Sequence, residues 1–154
     1  MKSIMISIKP EWVAKILNGE KTIEVRKTAP KCKLPIDVYI YCTKSDIKGA
    51  RENFAFEEFN RLGRVVAKFT LRKIEEISNR EDNDDEGFLI YETSLDMDGL
   101  LKASCLDYKA LEKYLLDGKG YAWHISDLVI FDKPSELGNF GLTKAPESFC
   151  YIEN

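Results

Sequence analysis

The chain has few of the residues from which metal sites and disulfide frameworks are built. Its 154 residues include one histidine and four cysteines. A zinc site or a thioredoxin-like motif needs a closer set of such ligands, for example a C-x-x-C pair, which this sequence lacks. We therefore expect free thiols, no metal and no cofactor. The cysteines are widely spread: Cys32, Cys42, Cys105 and Cys150.

Long apolar runs are also missing. No stretch approaches the roughly 18 consecutive apolar residues that identify a membrane-spanning helix. The N-terminal segment MKSIMISIKPEW alternates in polarity and reaches Pro10 too soon for the apolar region of a secretion signal. We therefore expect a cytoplasmic protein with no membrane partner.

The size and composition are those of one soluble domain. Hydrophobic residues make up 44% of the chain and charged residues 32%, which is ordinary for a globular protein. A chain of about 150 residues buries roughly 68 to 70% of its unfolded surface, enough for a core without covalent staples. We expect a single domain over residues 1–154.

The charge is distributed unevenly along a chain whose net charge is -3. Residues 1–80 carry 17 Lys and Arg against 10 Asp and Glu, whereas residues 81–154 carry 6 against 16. A basic half predicts an anion-binding surface if its side chains meet in space, and otherwise only solubilises the protein. The acidic half could instead serve a protein partner. The basic residues considered for the surface are Lys27, Lys31, Lys33, Lys44, Lys48, Arg51, Arg61 and Arg64.

The first part of the chain predicts a strand, a short helix and a second strand. Apolar residues alternate over residues 4–8, which indicates a strand. Pro10 is favoured at the first helical position, and Gly19 is typical of the left-handed position that ends a helix. The segment KTIEVR, residues 21–26, alternates again and predicts the second strand.

The rest of the chain adds strands over residues 38–42, 65–71, 120–126 and 128–131 and near SFCYI, with helices over residues 97–103 and 108–116 capped by Asp107. The alternation slips after Lys73, which predicts a bulge or bend. Asp127 separates two strand segments that form either a hairpin or one bent ladder. Because the helices are too few to cross over every strand pair, we expect an α+β fold: a mixed β-barrel of about six or seven short strands with two or three flanking helices.

The acidic run EDNDDEG, residues 81–87, has spacings like the start of a calcium-binding EF-hand loop. In a loop counted from Asp82, the twelfth position is Thr93 instead of the bidentate Glu that such a loop requires. We interpret the run as a solvated loop.

The segment GEKTIEVRK carries more charge than a strand usually does. Residues two apart on a strand lie on one face, so Thr22, Glu24 and Arg26 form a row with a hydroxyl, an acceptor and a fork of donors. Such a row can read a base edge or bind phosphate. The alternative is an exposed ion pair, worth roughly 0 to 1 kcal/mol, on the outside of the sheet.

Four further residues have both a functional and a structural interpretation. Lys21 is either a buried base with a lowered pKa or a surface lysine with a packed stem. His124, the only histidine, either borders a cleft or is bonded for structural reasons. Trp12 and Trp123 could stack on a base, although core packing is the stronger interpretation for Trp123.

Two segments, SIKPEWVAKILNGEKTIEVRK and GYAWHISDLVIFDKP, resemble the ASCH family of the PUA-like β-barrel superfamily, in particular small single-domain proteins of bacteria and their prophages. The closing APESFCYIE is similar to the same proteins. The resemblance implies a cleft beside the segment after the first helix, in a superfamily where many members bind RNA or modified nucleobases. The expected ligand-binding residues are Lys21, Thr22, Glu24, Arg26, Lys27 and His124.

The resemblance also implies an enzymatic alternative. Some small relatives cleave RNA, and one branch removes the acyl group of acetylated cytidine with a Lys, a Thr and a Glu. Lys21 matches the Lys, but Glu24 occupies the position of the Thr, and Thr22 lies two residues earlier. Glu75 and Glu76 are the candidates for the third group.

Three functions therefore stand as hypotheses. The first is binding of RNA or a nucleotide-like ligand such as a modified nucleoside. The second is a small hydrolase of RNA or a modified nucleoside, with Lys21, Thr22 and Glu24 as catalytic residues. The third is a prophage protein-interaction module without a nucleic-acid ligand.

Overall fold

The structure, a computed structural model, describes residues 1–44, 60–81, 89–116 and 118–153. The acidic run over residues 82–87, together with Lys48 and Arg51, lies outside these residues. The elements within them are β1 (Lys2–Ile8), α1 (Pro10–Leu17), β2 (Ile23–Arg26), β3 (Ile36–Cys42), β4 (Arg64–Glu81), β5 (Leu89–Glu92), α2 (Met97–Ser104), α3 (Tyr108–Tyr114), β6 (Gly120–Ser135), a 3-10 helix (Leu137–Phe140) and β7 (Phe149–Glu153).

The strands form one mixed sheet, which confirms the expected α+β class. Its hydrogen-bonded order is β2-β6-β4-β3-β1-β7, and β5 pairs with β4. The strands β1 and β3 run parallel, and the other pairs are antiparallel. Within the described ranges no backbone pairing joins β2 to β7, so the sheet is not closed into a barrel.

The two longest strands, β4 with 18 residues and β6 with 16, are longer than expected because each continues through an irregularity. Their pairing shifts register between Leu71 and Ile74, which confirms the predicted bulge near Lys73. The strand β6 runs through Asp127, whose φ is 50°, so the bent ladder is correct and the hairpin is wrong. Bulges and a left-handed residue let a strand turn without ending.

The strand-helix-strand unit forms as predicted. Helix α1 has Pro10 in its first turn and buries Val13 and Ile16, and Gly19 follows it with a φ of 84°. The strand β2 then buries Ile23 and Val25 against residues of α2 and α3 in one of the core clusters. This packing places both of these helices beside β2.

The main core lies on the other part of the sheet, between α1 and strands β1, β3, β4 and β6. Trp123 is completely buried there, and its Nε1 donates a 3.2 Å hydrogen bond to the carbonyl of Thr28. Trp123 therefore has a packing role. Asp107 caps α3 as predicted, because its carboxylate accepts a 2.7 Å hydrogen bond from the amide of Ala110.

Candidate functional site

A cleft of about 770 Å³ opens beside β2, between the end of β1 with the start of α1 on one side and α3 on the other. This volume lies within the range of about 300 to 1,000 Å³ that is usual for small-ligand sites. Three predicted residues from GEKTIEVRK line the inner part of the cleft and are buried or nearly so: Lys21, Glu24 and Arg26. Exposed residues line its mouth.

The cleft is basic although the whole chain is acidic. Among the described residues, five cations line it against three carboxylates, whereas the net charge of the chain is -3. A local excess of one sign attracts ligands of the opposite sign. The cations are Lys9, Lys21, Arg26, Lys27 and Lys113, and the carboxylates are Glu11, Glu24 and Glu147.

The inner wall of the cleft is a buried row of three charged side chains. Lys21 is 3% exposed and Glu24 6% exposed, and the side chain of Arg26 is 12% exposed. Lys21 Nζ lies 3.5 Å from Glu24 Oε2, and Arg26 Nε lies 3.1 Å from Glu24 Oε1. Buried charges are stable only when they are paired in this way. We call Lys21, Glu24 and Arg26 the inner row.

Lys21 is held at its ammonium end by a backbone group. Its Nζ donates a short hydrogen bond of 2.5 Å to the carbonyl of Ser104, at the end of α2. Burial lowers the pKa of Lys21 below the ordinary value for lysine, and the carboxylate of Glu24 only partly opposes that effect. The cleft therefore contains a lysine that gives up its proton more easily than a surface lysine does.

Arg26 connects parts of the sheet that share no backbone pairing. Its Nη2 donates to the carbonyl of Ser7 at 2.6 Å, and its Nη1 donates to Ser148 Oγ at 3.3 Å. Ser7 lies on β1 and Ser148 precedes β7, whereas Arg26 ends β2. The guanidinium thus spans the open side of the sheet and at the same time lines the cleft.

In the part of the chain that the structure describes, two aromatic rings line the cleft, Trp12 from α1 and Tyr114 from α3. Lysine Nζ atoms lie close to both: Lys21 is 5.1 Å from the centroid of the Trp12 ring, and Lys27 is 5.3 Å from that of Tyr114. These distances are those of cation–π contacts. The rings therefore help to position ammonium groups along the cleft, and they add apolar wall to it.

Thr22, a predicted member of the site, is exposed and does not line this cleft. Its backbone is used instead: its amide donates to Ala103, and its carbonyl accepts from Ile125. The strand β2 begins at Ile23, so its alternation predicts that Glu24 and Arg26 share a face. Lys21 and Thr22 precede the strand, and the alternation therefore does not predict the direction of their side chains.

His124 likewise lies outside the lining of the cleft. Its Nε2 is 2.7 Å from Glu75 Oε1, in a polar cluster that also contains Lys73 and Ser94. Burial acts to raise the pKa of Glu75, but hydrogen bonds from Ser94, Lys73 and His124 outweigh it and lower that pKa to about 2. The position of His124 agrees with its structural interpretation.

Neither carboxylate considered for the third catalytic position reaches Lys21. Glu75 belongs to the cluster with His124, and Glu76 pairs with Lys119 at 3.5 Å. Among the described residues, the carboxylate next to Lys21 is Glu24. Neither Glu75 nor Glu76 therefore completes a catalytic set around Lys21, whereas Glu24 and Thr43 line the same cleft as Lys21.

Sequence reasoning missed the contribution of α3 and of the segment before β7. Lys113 and Tyr114 line the cleft from α3, and Glu147 lines it from the other side. Tyr114 lies off the apolar stripe formed by Leu111 and Leu115. An aromatic residue outside such a stripe is the sequence feature that could have predicted a contribution of α3 to the cleft. Of the dispersed basic residues proposed for an anion surface, Lys27 lines the cleft, whereas Arg64 pairs with Glu136.

Some features are absent from the part of the chain that the structure describes. There, no group of three or more His, Cys, Asp or Glu side chains is placed to hold a metal ion. No described helix has the length and apolar character needed to cross a membrane. The four cysteines are free thiols.

Together the open mixed sheet, its flanking helices and the lining of the cleft define a small α+β domain with a basic cleft. The model of the ASCH domain family matches residues 6–127. The chain therefore belongs to the ASCH domain family, whose PUA-like fold is generally linked to RNA binding. No curated protein matches the sequence.

Solved structures of an ASCH protein from Zymomonas mobilis are similar over nearly the whole chain. One is 17% identical with a TM-score of 0.66, and the match covers 99% of this chain and 88% of that one. A Tyr-to-Phe variant of the same protein is 18% identical with a TM-score of 0.66, covering 100% and 92%. A Ser-to-Ala variant is 17% identical with a TM-score of 0.65, covering 99% and 89%. At this level of identity the likeness shows the fold alone.

Proposed function

We propose that this protein binds RNA or a nucleotide-like ligand, such as a modified nucleoside, in the cleft beside β2. The observation that carries the proposal is the excess of cations that the described residues bring to this cleft, five against three carboxylates, in a chain of net charge -3. Phosphate groups are the anions that such lysine and arginine clusters bind.

Two further properties support a nucleotide over a simple anion. The cleft has the aromatic rings of Trp12 and Tyr114 in its wall, and unpaired bases pack on aromatic side chains. Its inner row offers both hydrogen-bond donors and an acceptor, as the edge of a base requires. The exposed lysines Lys27 and Lys113 line the mouth of the cleft, where backbone phosphates can contact them.

The test is a titration of the protein with short single-stranded RNA at several salt concentrations. For single strands, log K falls with log salt with a slope of about -0.7 per phosphate neutralised. The Lys113→Ala variant is expected to bind more weakly and to have a slope shallower by about 0.7. Lys133→Ala, an exposed lysine of β6 that does not line the cleft, is the matched control. Equal losses in both variants would contradict the proposed location.

A hydrolase acting on the same ligands is the second candidate, and the lowered pKa of Lys21 favours it. A neutral lysine amine in a cleft is a competent general base. In this mechanism Lys21 takes a proton from the attacking hydroxyl or water, and Glu24 keeps the side chain in place through the 3.5 Å contact. Thr22, which is outside the cleft, has no part in it.

The hydrolase candidate predicts turnover of RNA or acetylated cytidine that rises with pH through the pKa of Lys21, since the unprotonated amine is the base. Lys21→Met, which keeps the length of the stem, should abolish turnover in a protein whose circular dichroism spectrum shows that it is still folded. Undiminished turnover in that variant would remove Lys21 from the mechanism. Absence of turnover in the unaltered protein, together with salt-dependent binding, leaves the binding function alone.

A further inference from the structure

The inner row has a definite hydrogen-bonding pattern of donor, acceptor, donor. Lys21 Nζ stands on one side of the Glu24 carboxylate, 3.5 Å from Oε2, and Arg26 Nε stands on the other, 3.1 Å from Oε1. Lysine has three N–H donors and arginine has five. The contacts described here engage one donor of Lys21 with Ser104 and three of Arg26, so both cations retain donors for a ligand.

The acceptor at the centre of the row is incompletely satisfied. Glu24 Oε2 is buried, and no group in the described ranges donates a hydrogen bond to it. The 3.5 Å separation from Lys21 Nζ is an ion pair without hydrogen-bond geometry. A buried acceptor without a donor is costly, so a ligand that supplies an N–H at this point gains affinity.

Resting on the proposed function, we propose that the cleft selects a base with an acceptor–donor–acceptor edge, which is the imide edge of uracil. The N3–H donates to Glu24 Oε2, and the two flanking carbonyl oxygens accept from Lys21 Nζ and from the guanidinium of Arg26. The three groups of the edge then meet three complementary groups of the inner row.

The other common bases match the inner row less well. Cytosine places its unprotonated ring nitrogen, an acceptor, at the centre of its edge, where it faces the carboxylate of Glu24. Guanine has two adjacent donors, one of which is turned toward the donors of Lys21 or Arg26. Adenine presents only two hydrogen-bonding groups on this edge, so one member of the inner row has no partner. Each mismatch leaves a buried polar group unpaired, and such sites reject the wrong ligand strongly.

Access to the inner row also limits the form of the ligand. The three side chains are nearly buried, so a base reaches them only edge-on and unpaired, from a nucleotide or a single strand. A base that is paired in a duplex has its edge occupied.

The experiment compares the 5′-monophosphates of uridine, cytidine, adenosine, guanosine and 3-methyluridine with the unaltered protein at one low salt concentration. Trp12 lines the cleft and Trp123 is fully buried, so a change in tryptophan fluorescence reports occupation of the cleft. We expect the uridine nucleotide to bind about tenfold or more tightly than the others. The 3-methyluridine nucleotide, which lacks the N3–H donor, should bind as weakly as the cytidine nucleotide.

A variant adds an independent readout. Glu24→Gln can turn an amide N–H toward the ligand, so the preference should move from uridine toward cytidine. Equal affinity for the uridine, cytidine and 3-methyluridine nucleotides would overturn the base preference while leaving phosphate binding intact. A preference for cytidine or guanosine in the unaltered protein would overturn it as well. No binding of any nucleotide or of single-stranded RNA would instead remove the proposed function.

Discussion

Arg26 offers a perturbation whose consequence can be worked out from its contacts. Its guanidinium donates to Glu24, to the carbonyl of Ser7 and to Ser148 Oγ, and its side chain is 12% exposed. In Arg26→Lys the positive charge is kept, but one ammonium on a narrower stem cannot reach all three acceptors at once. The substitution therefore removes the connection across the open side of the sheet without removing the charge.

The magnitude follows from the acceptors that lose their donor. A hydrogen bond to a charged group contributes about 1.5 to 3 kcal/mol, and a buried acceptor left without a partner costs a similar amount. The loss of one or two of the three contacts gives a destabilisation of about 1.5 to 6 kcal/mol. For a domain of this size, each kcal/mol shifts the midpoint of thermal unfolding by about 2 to 4 °C.

The assay is urea unfolding followed by circular dichroism, with Arg72→Lys as the matched control. Arg72 also pairs with a carboxylate, Asp127 at 2.9 Å, but the two side chains are 59% and 60% exposed. An exposed pair of this kind is worth about 0 to 1 kcal/mol. If Arg26→Lys lowers the free energy of unfolding no more than Arg72→Lys does, then the contacts of Arg26 across the open side of the sheet do not stabilise the fold.

Three other predictions follow from the same structure. The pKa of Glu75 is lowered to about 2 in the folded protein, from about 4.5 in the unfolded chain. Its contribution to stability is therefore complete above pH 4.5 and is lost as the pH falls toward 2. Glu75→Gln should accordingly make stability depend less steeply on pH in this acid range. Leu111→Ala, in the cluster that packs α3 against β2, should cost about 2 to 5 kcal/mol and weaken ligand binding, whereas Leu116→Ala, at a position 79% exposed, should change neither. Trp12→Phe should abolish the ligand-induced fluorescence change and should cost less stability than Trp123→Phe, because Trp12 is partly buried at the edge of the core, whereas Trp123 is fully buried and its substitution should leave that change.

Each of these has a result that contradicts it. An acid limb that is unchanged in Glu75→Gln would show that the hydrogen bonds from Ser94 and His124 do not stabilise the folded state. If a destabilised but folded Leu111→Ala protein binds the ligand with full affinity, then the packing of α3 does not contribute to ligand binding. A ligand-induced signal that survives Trp12→Phe would place the ligand elsewhere.

The features predicted correctly from the sequence are those set by local chemistry. The first strand, α1 and β2 follow from alternation, from Pro10 and from Gly19, and each is present in the structure. The cap of α3 by Asp107 and the bulge near Lys73 are also local, since each depends on a few neighbouring residues. The pairing of Glu24 with Arg26 needed only the two-residue period of a strand.

The features missed depend on contacts between distant parts of the chain. The side of Lys21 was undetermined because its ammonium is positioned by Ser104, 83 residues away. His124 is hydrogen-bonded to Glu75, 49 residues earlier, and no local sequence pattern predicts that contact. Barrel closure was expected, but the side of the sheet between β2 and β7 is spanned by the side chain of Arg26 in place of strand pairing.

The most direct test of the central claim is ultraviolet cross-linking of a mixed-sequence single-stranded RNA to the protein, with the attached peptides mapped by mass spectrometry. The two aromatic residues of the cleft, Trp12 and Tyr114, are the groups expected to react. The account predicts cross-links on the peptides that carry them, lost when excess nucleotide is added. Cross-links confined to peptides outside the cleft, or none from an RNA that binds, would contradict it.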